Sequence, residues 1–485
     1  MDLRQRLPVE TIDYEVDSNI FDEMFSSKGN VRRHCRHLHE FLKTLGPGDG
    51  KSIQDRVAKS FLTDGIVFTV YGENGAGERI IPVDFVPRLI TERHWQKLEE
   101  GLRQRVKALN CFLSDIYSEA RAIRDGVIPA ELVFECRNYL PQLKGSFPAG
   151  GTWVVVCGTD LVRTNAGFQV LEDNLQVPSG VSYMLANRAA IKTSLRTLFR
   201  ACKVRNIENY GHALRETLQE IAPAGRPEPV IAVMTPGVYN SAFYEHMFLA
   251  REIGSPLVEG RDLMVRDHHV YMRTIKGLRR VDVIYRRIDD VFLDPEIFRK
   301  DSLLGVPGLI EAWKRGNVAL ANAPGTGVGD DKSVYAYVPD LIRYYLSQEP
   351  LLKNVKTRLC RHEKDLQYTL DNLADLVVKR VDGSGGYGML VGPDSSPAER
   401  EAYAAEIRAN PGDFISQPVL AISRSPCLID GRLEPRHVDL RPFVLTGSRT
   451  RIVPGAFCRV ALRRGSLVVN SSQGGGGKDL WVVSG

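Results

Sequence analysis

The sequence predicts an α/β protein in which strands and amphipathic helices alternate. The chain has 485 residues, 43% of them hydrophobic, which is enough for about three domains with sizeable cores. Residues 230–234, 256–258 and 281–286 are apolar runs typical of buried strands, and a helical pattern at 242–253 follows the first of them. This strand–helix–strand order predicts a parallel sheet covered by helices.

Composition and charge exclude several classes of protein. The 64 Lys and Arg residues outnumber the 59 Asp and Glu residues too slightly to indicate a nucleic-acid partner. Apolar runs such as Trp153–Cys157 are far too short to span a membrane, and no signal peptide follows Met1. The eight cysteines form no C-x-x-C pair, which is typical of free thiols in a reducing compartment. We therefore expect a cytoplasmic protein without nucleic-acid or membrane partners.

The first part of the chain combines helices with one hairpin. Residues 1–65 are polar, and we expect helices around 13–45 and 50–62. Two β-rich segments, Ile66–Tyr71 and Glu78–Val83, flank a glycine-rich turn and therefore predict a hairpin.

Longer helices are predicted in the middle of the chain. From Glu92 to about Gly126, apolar residues recur every three or four positions, which predicts a long amphipathic helix. Further helices fit residues 181–206 and 333–347. Between these two, Pro223–Pro229 is the clearest linker in the chain.

A candidate metal site lies on a second predicted hairpin, over residues 160–174. Because side chains alternate along a strand, Asp160, Glu172 and Asn174 would share one face. Two carboxylates and an amide oxygen suit magnesium, while a solvated polar strand end is the alternative interpretation. This depends on a three-residue loop, Asn165–Gly167. The register would then pair Thr164 with Phe168, Val162 with Val170, and Asp160 with Glu172.

A glycine-rich loop follows the apolar strand that contains Lys379. Its glycines match G-x-G-x-x-G, but the loop leads into a second strand, whereas the dinucleotide-binding version leads into a helix. Such a flap can cover nucleotide phosphates, because glycines let backbone N–H groups face an anion, and Lys379 would add a positive charge. A plain hairpin turn with a surface lysine is the alternative. The loop contains Gly383, Ser384, Gly385, Gly386, Tyr387 and Gly388.

Each of the weaker signals leaves two interpretations open. Lys332 lies at the start of the last long predicted helix, and it is either a second lysine that faces the phosphates or a surface residue. Arg441 shares a strand face with Asp439, and either forms an ion pair or faces an anion; Arg286 has the same ambiguity. The glycines Gly474–Gly477 belong to a flexible tail or to a second loop that faces an oxyanion.

Together these segments resemble the circularly permuted ATP-grasp family, which is related to glutathionylspermidine synthetase. An ordinary ATP-grasp chain places its phosphate-binding lysines before the metal-binding hairpin. Here the hairpin comes first and the lysines follow, which is the mark of the permutation. The resemblance extends from about Tyr71 to the end of the chain. It depends on Asp160, Glu172–Asn174, Val177–Gly180, Asp331–Lys332, Val378–Lys379 with its glycine loop, Phe414–Val419 and Asp439–Phe443.

The resemblance implies a site for Mg²⁺ and ATP. Lys332 and Lys379 would contact the ATP phosphates, and the loop 383–388 would cover them. Gln417 would lie near the segment whose backbone reads the adenine edge. The other implied residues are Asp160, Glu172 and Asn174 for magnesium, and Arg441 and Arg286 for the acyl phosphate or the acceptor carboxylate.

The resemblance also implies an activity, the ATP-dependent joining of a carboxylate to an amine through an acyl phosphate. The substrates would be small molecules or peptides. Glutathione and spermidine are not implied, because the chain contains no amidase domain of the kind fused to glutathionylspermidine synthetases. A phosphotransferase acting on a hydroxyl group and a non-catalytic nucleotide-binding protein are the alternatives, and the oligomeric state is left open.

Four regions follow from the resemblance. They are a helical N-terminal region (1–65), a strand and helix region with the metal-ligand hairpin (66–222), an α/β domain like the pre-ATP-grasp domain (230–325), and the nucleotide-binding ATP-grasp lobes (326–485).

Overall fold

The structure is a computed structural model that describes residues 14–66, 68–72, 75–79, 81–383, 388–469 and 475–484. The α-helices within these residues are α1 (Arg36–Thr44), α2 (Asp49–Thr63), α3 (Glu92–Ile116), α4 (Arg121–Arg124), α5 (Ala130–Phe134), α6 (Val181–Ser194), α7 (Arg196–Ala201), α8 (Tyr210–Glu220), α9 (Phe243–Glu252), α10 (Leu309–Lys314), α11 (Lys332–Leu346), α12 (Glu363–Asp371) and α13 (Pro397–Ala409). The strands are β1 (Phe68–Gly72), β2 (Gly75–Arg79), β3 (Val83–Thr91), β4 (Val156–Thr164), β5 (Gly167–Asn174), β6 (Ile231–Met234), β7 (Leu257–Val258), β8 (Leu263–Arg266), β9 (His269–Thr274), β10 (Gly277–Val281), β11 (Val283–Arg286), β12 (Ala319–Ala321), β13 (Lys353–Asn354), β14 (Arg358–Leu359), β15 (Leu376–Arg380), β16 (Met389–Val391), β17 (Phe414–Pro418), β18 (Arg424–Ile429), β19 (Arg432–His437), β20 (Asp439–Thr446), β21 (Thr450–Val460) and β22 (Gly476–Val483).

A seven-stranded sheet forms the largest layer, in the order β13-β5-β4-β20-β21-β22-β3. Its strands β4, β20 and β21 are buried along most of their length, and α3 packs on it through a buried apolar stripe that includes Trp95, Leu102 and Leu109. Apolar residues at three- and four-residue spacing place this stripe on one helix face. The sheet that contains the hairpin β4–β5 is therefore stabilised by packing against α3.

The hairpin β4–β5 confirms the predicted opposition of Asp160 and Glu172, but by a different register. The loop has two residues, Asn165 and Ala166, rather than three, and Thr164 pairs with Gly167. The predicted pair of Val162 with Val170 is therefore wrong. A bulge in β5 inserts one residue and shifts the register back, so that Asp160 again faces Glu172.

The strand–helix–strand pattern in the middle of the chain forms the predicted parallel sheet. Its order is β12-β11-β6-β7, and all three neighbouring pairs are parallel. Helix α9 connects β6 to β7, as the helical pattern at 242–253 predicted. The carboxyl ends of these strands lie at one edge of the sheet, where ligands commonly bind in α/β proteins.

A four-stranded sheet in the order β14-β17-β15-β16 carries Lys379 and Gln417. All its neighbouring strands are antiparallel, with Lys379 opposite Ile415 on one side and Met389 on the other. The glycine loop leads from β15 into β16, so it connects two strands as predicted. Residues 384–387 lie outside the described residues.

Several predicted helices are shorter than the sequence pattern suggested. The helix expected over 13–45 is reduced to α1, because Asp22 binds the N–H groups of Met24 and Phe25 (2.8 and 2.7 Å) and fixes a turn there. The helix expected to reach Gly126 ends at Ile116 and is followed by α4. The helix over 181–206 is divided at Leu195 into α6 and α7.

The last strand corrects the interpretation of the closing glycines as a flexible tail. Gly476 and Gly477 begin β22, which is buried and pairs with β21 and β3. Lys478 is fully buried in this strand and forms an ion pair with Asp84. Residues 470–474 lie outside the described residues.

Two expectations from composition can be compared with the structure. All eight cysteines are free, and six of them are buried. Among the described residues, no helix is both long and apolar enough to cross a membrane.

Candidate active site

A cavity of about 840 Å³ is lined by residues of the seven-stranded sheet, the four-stranded sheet and the start of α11. Its volume lies in the range of small-molecule and cofactor sites. The structure brings together in its wall most of the candidate residues that lie far apart in the sequence. These are Asp160, Glu172, Asn174, Lys332, Lys379, Gly383, Gln417 and Arg441.

The remaining candidates are not part of this wall. Gly388 and Arg286 are described but do not line the cavity. Ser384, Gly385 and Gly386 lie outside the described residues.

Lys332 is placed at the cavity by the start of α11. The side chain of Asp331 caps this helix by accepting the N–H of Ser333 at 2.7 Å. The Lys332 N–H donates to the carbonyl of Val381 at 3.1 Å, and its ammonium contacts the carbonyl of Gly383. The ammonium also lies 3.5 Å from a carboxylate oxygen of Glu172. Lys332 therefore connects the glycine loop to the hairpin β4–β5.

Lys379 approaches the same cavity from β15. Its ammonium donates to the side-chain oxygen of Gln417 at 2.9 Å, and the Gln417 amide donates to Thr357 at 2.9 Å. Burial lowers the pKa of Lys379 to about 8, because the charged form loses contact with water. An anion beside this lysine would restore the charged form, which is what a phosphate group provides.

Asp160 is buried between two guanidinium groups. Arg441 on β20 donates to both of its oxygens, with Nη2 to Oδ2 at 2.8 Å, and Arg459 on β21 donates to Oδ2 at 2.5 Å. Burial alone would raise the pKa of Asp160, but the two positive charges outweigh it and hold the pKa well below its usual range. Asp160 is therefore a carboxylate at neutral pH.

Arg441 thus forms an ion pair, but with Asp160 rather than with its strand neighbour Asp439. Asp439 instead pairs with Arg459, which lies between the two aspartates. Sequence reasoning missed Arg459. A charged residue within the apolar run Cys458–Val460 was the available signal, because a buried charge requires a partner.

Asp330 is a second residue that sequence reasoning missed as part of the site. It lines the cavity, and its carboxylate accepts the N–H groups of Leu175 (2.5 Å) and Gln176 (3.3 Å), directly after Asn174. Burial raises the pKa of Asp330 to about 8 in spite of these hydrogen bonds. Asp330 ties the end of β5 to the turn before Lys332.

The structure contradicts the interpretation of Arg286 as an anion-binding residue. Its side chain is fully buried, pairs with Asp290 at 2.7 Å, and donates to the carbonyls of Ile288, Asn322 and Ala323. These partners use all of its nitrogens. Arg286 therefore holds the loops at the end of the parallel sheet, and each of its three nitrogens already has a partner within the protein.

The residues present fit a magnesium ion that is bound together with phosphate oxygens. Within the described part of the chain, no group of three or more His, Cys, Asp or Glu side chains is arranged to hold a metal alone. Glu172 is partly exposed to the cavity but forms an ion pair with Lys332, so a magnesium ion would share or replace that pair. Asn174 donates its amide N–H to the carbonyl of Gly158 at 3.1 Å, which leaves its amide oxygen for a ligand. The oxygens of Asp160 are shared with the two arginines.

The chain is similar to several known proteins. The model of the family "Circularly permuted ATP-grasp type 2" matches residues 87–461. The chain is 51% identical to an uncharacterized protein of Synechocystis sp., over 96% of this chain and 98% of that protein. It is 48% identical to an uncharacterized protein of Mycobacterium tuberculosis, over 97% of this chain and 85% of that protein.

Two further proteins are related more distantly or over part of their length. A Frankia casuarinae protein named "Putative glutamate--cysteine ligase 2-2" is 42% identical over 95% of this chain, which matches 53% of that protein. A glutathione synthetase-like effector of Globodera pallida has the same fold, with a TM-score of 0.55 at 11% identity, over 90% of this chain and 98% of that one. These relationships support an ATP-dependent ligase that uses magnesium, in general. The chain belongs to the circularly permuted ATP-grasp type 2 family.

Proposed function

We propose that the cavity binds ATP with magnesium and that the protein joins a carboxylate to an amine. The observation that carries this proposal is the convergence of Lys332 and Lys379 on one cavity opposite Glu172. Two ammonium groups and one carboxylate, from three separate elements, form a site for a triphosphate and its cation. The four sequence regions are proposed to contribute as predicted, with 326–485 supplying the lysines and 66–222 the metal-ligand hairpin.

The adenine is proposed to occupy the apolar part of the same cavity. That part adjoins Gln417 and is lined by apolar side chains of both sheets and of the segments that follow β13 and β17, which suit a flat aromatic ring. The residues are Leu171, Val355, Val377, Met389, Val391, Leu420 and Ile422.

Glu172 and Asn174 would hold magnesium, together with Asp160 if an arginine releases one of its oxygens. When bound, the ion would neutralise phosphate charge and orient the terminal phosphate. Lys332 and Lys379 would stabilise the negative charge that develops on that phosphate as the donor carboxylate attacks phosphorus and ADP leaves.

The acyl phosphate formed in this way would react with an amine. The amine attacks as the free base, after its ammonium form has given one proton to water. Its nitrogen attacks the carbonyl carbon, the C–N bond forms, and the C–O bond to phosphate breaks. Phosphate is released and takes up the second proton that the nitrogen loses. Arg441 lies beside Glu172 (3.9 Å) and is the proposed partner for the acyl phosphate. Glutamate and cysteine are not assigned as substrates, because the name of the Frankia protein applies to a chain of which 53% is matched.

The test is a screen for ADP and phosphate release from ATP, over pools of amino acids, short peptides and polyamines. A ligase releases one phosphate for each ADP and forms a condensed product that mass spectrometry detects. ADP without free phosphate would indicate a phosphotransferase instead. A chain that binds ATP but forms neither product with any pool would contradict the proposal.

A further inference from the structure

The run Arg286–Asp290 begins at the last residue of β11 and contains one charged side chain for which the described residues offer no hydrogen-bond or ion-pair partner. Arg287 is fully buried and donates to the carbonyl of Pro178, the hydroxyl of Ser179 and the carboxylate of Glu245. Asp290 pairs with Arg286 and accepts the N–H of Gly325 at 2.9 Å. Among the described residues, no hydrogen bond or ion pair involves the Asp289 carboxylate.

The charges around Asp289 leave a net negative charge at this place. Arg286 is matched by Asp290 at 2.7 Å and Arg287 by Glu245 at 3.0 Å. Both pairs are fully buried, so their charges cancel without solvent. The negative charge of Asp289 is therefore not neutralised by either of these ion pairs.

Asp289 faces the same cavity as the two lysines. It follows the carboxyl end of β11 in the parallel sheet, the edge where α/β proteins commonly bind ligands. Asn138, Gln176 and Val291 line the cavity with it. Asp289 is an exposed residue, so its carboxylate is open to the cavity, although the surrounding protein raises its pKa. An accessible carboxylate without a hydrogen-bond or ion-pair partner among the described residues can pair with a cationic ligand.

We propose that Asp289 binds the ammonium group of the acceptor substrate, which is therefore a cationic amine. The inference rests on the proposed ligase function, since it assigns the acceptor end of the same cavity. Lys332 and Lys379 would hold the phosphates through their positive charges. These charges repel an ammonium group, whereas the negative charge of Asp289 attracts it. The arrangement selects a positively charged acceptor over a neutral one.

Calorimetric titration of the full chain with charged amines and their uncharged analogues tests this proposal. The probes are 1,4-diaminobutane against 1,4-butanediol, and glycinamide and lysinamide against acetamide, each with and without Mg-ADP. The wild type should bind at least one amine and no uncharged analogue. Asp289→Asn should weaken that binding by about tenfold or more, the loss expected for one charge-assisted hydrogen bond. Asp55→Asn, the same change on the exposed face of α2, should have no effect.

Two outcomes would overturn the proposal. One is equal amine binding by the wild type and Asp289→Asn. The other is a wild type that binds Mg-ADP but none of the amines. Failure of Mg-ADP itself to bind would instead contradict the proposed function. The titrations without Mg-ADP measure amine binding alone, so they distinguish a failure of the amine site from a failure of the nucleotide site. Retained Mg-ADP binding by Asp289→Asn shows that the variant is folded.

Discussion

Lys332 and Glu172 lie 3.5 Å apart, Nζ to Oε2, although one begins α11 and the other belongs to β5. The pair connects the two parts of the chain whose order is inverted relative to an ordinary ATP-grasp protein. In the absence of ligands, the lysine and the carboxylate neutralise each other's charge. The proposed ligand of Lys332 is phosphate, and that of Glu172 is magnesium. Binding of both ligands at once would replace one ion pair by two.

Glu172→Gln should therefore separate the effects of magnesium and ATP. Loss of the carboxylate should raise the magnesium concentration for half-maximal phosphate release by about tenfold, since each such ligand contributes a charge-assisted contact. ATP binding without magnesium should not weaken, because Lys332 loses a competing anion. The side chain is 28% exposed, so the melting temperature should change little. An unchanged magnesium requirement would contradict the role of Glu172.

ATP binding should depend on pH through Lys379. Its pKa is lowered to about 8, so the free protein loses this positive charge as the pH rises through 8. ATP affinity, measured by calorimetry at fixed magnesium, should fall between pH 7 and 9.5. Lys379→Met should bind ATP about tenfold or more weakly at pH 7 and lack this part of the pH dependence. Lys107→Ala, which removes an exposed lysine on α3, should behave like the wild type.

The sequence predicted most of the candidate site but not how its charges are paired. Asp160, Glu172, Lys332 and Lys379 belong to local patterns, and the resemblance to the permuted ATP-grasp family implied that they meet at one site. The pairing of Arg441 with Asp160 could not be predicted, because it depends on which strand lies next to β4. Strand order in a sheet is a long-range property, and a local pattern does not contain it.

The hairpin β4–β5 shows a related limit. Turn chemistry predicted a three-residue loop, and the structure has two loop residues and a bulge. The two deviations cancel at Asp160 and Glu172. A bulge leaves no clear composition signal, since any residue can occupy it, and the correct opposition was therefore obtained from an incorrect register.

Asp330→Asn should change how stability depends on pH. The pKa of Asp330 is raised to about 8, so between about pH 4 and 8 the folded protein binds a proton that the unfolded chain has lost. This contribution to stability is present at low pH and decreases as the pH rises to 8. Urea unfolding should show that the free energy of unfolding of the wild type falls by roughly 1–3 kcal/mol more than that of Asp330→Asn between pH 5 and pH 8. Parallel curves for the two proteins would contradict the assignment.

Gly325→Ala should destabilise the protein more than Gly316→Ala. Both glycines have positive φ, 87° and 70°, so alanine costs each about 1–2 kcal/mol. At Gly325 a Cβ would also collide with the buried ring of Tyr117, whereas no atom lies within 4 Å of a Cβ at Gly316. Overpacking should add about 1–3 kcal/mol at Gly325. Unfolding free energies of the two variants provide the comparison, and equal values would contradict it.

The position of β22 has a consequence for how the protein is made. Among the described residues, β3 pairs only with β22, which follows it after nearly the whole chain. A nascent chain that has emerged as far as β21 would expose β3 as an unpaired, apolar edge, which is a site for aggregation. Pairing at this sequence separation also slows folding. We expect the sheet that carries Asp160 and Glu172 to close only after synthesis has reached β22, so shortened chains that lack β22 should accumulate as aggregates rather than as partly active protein.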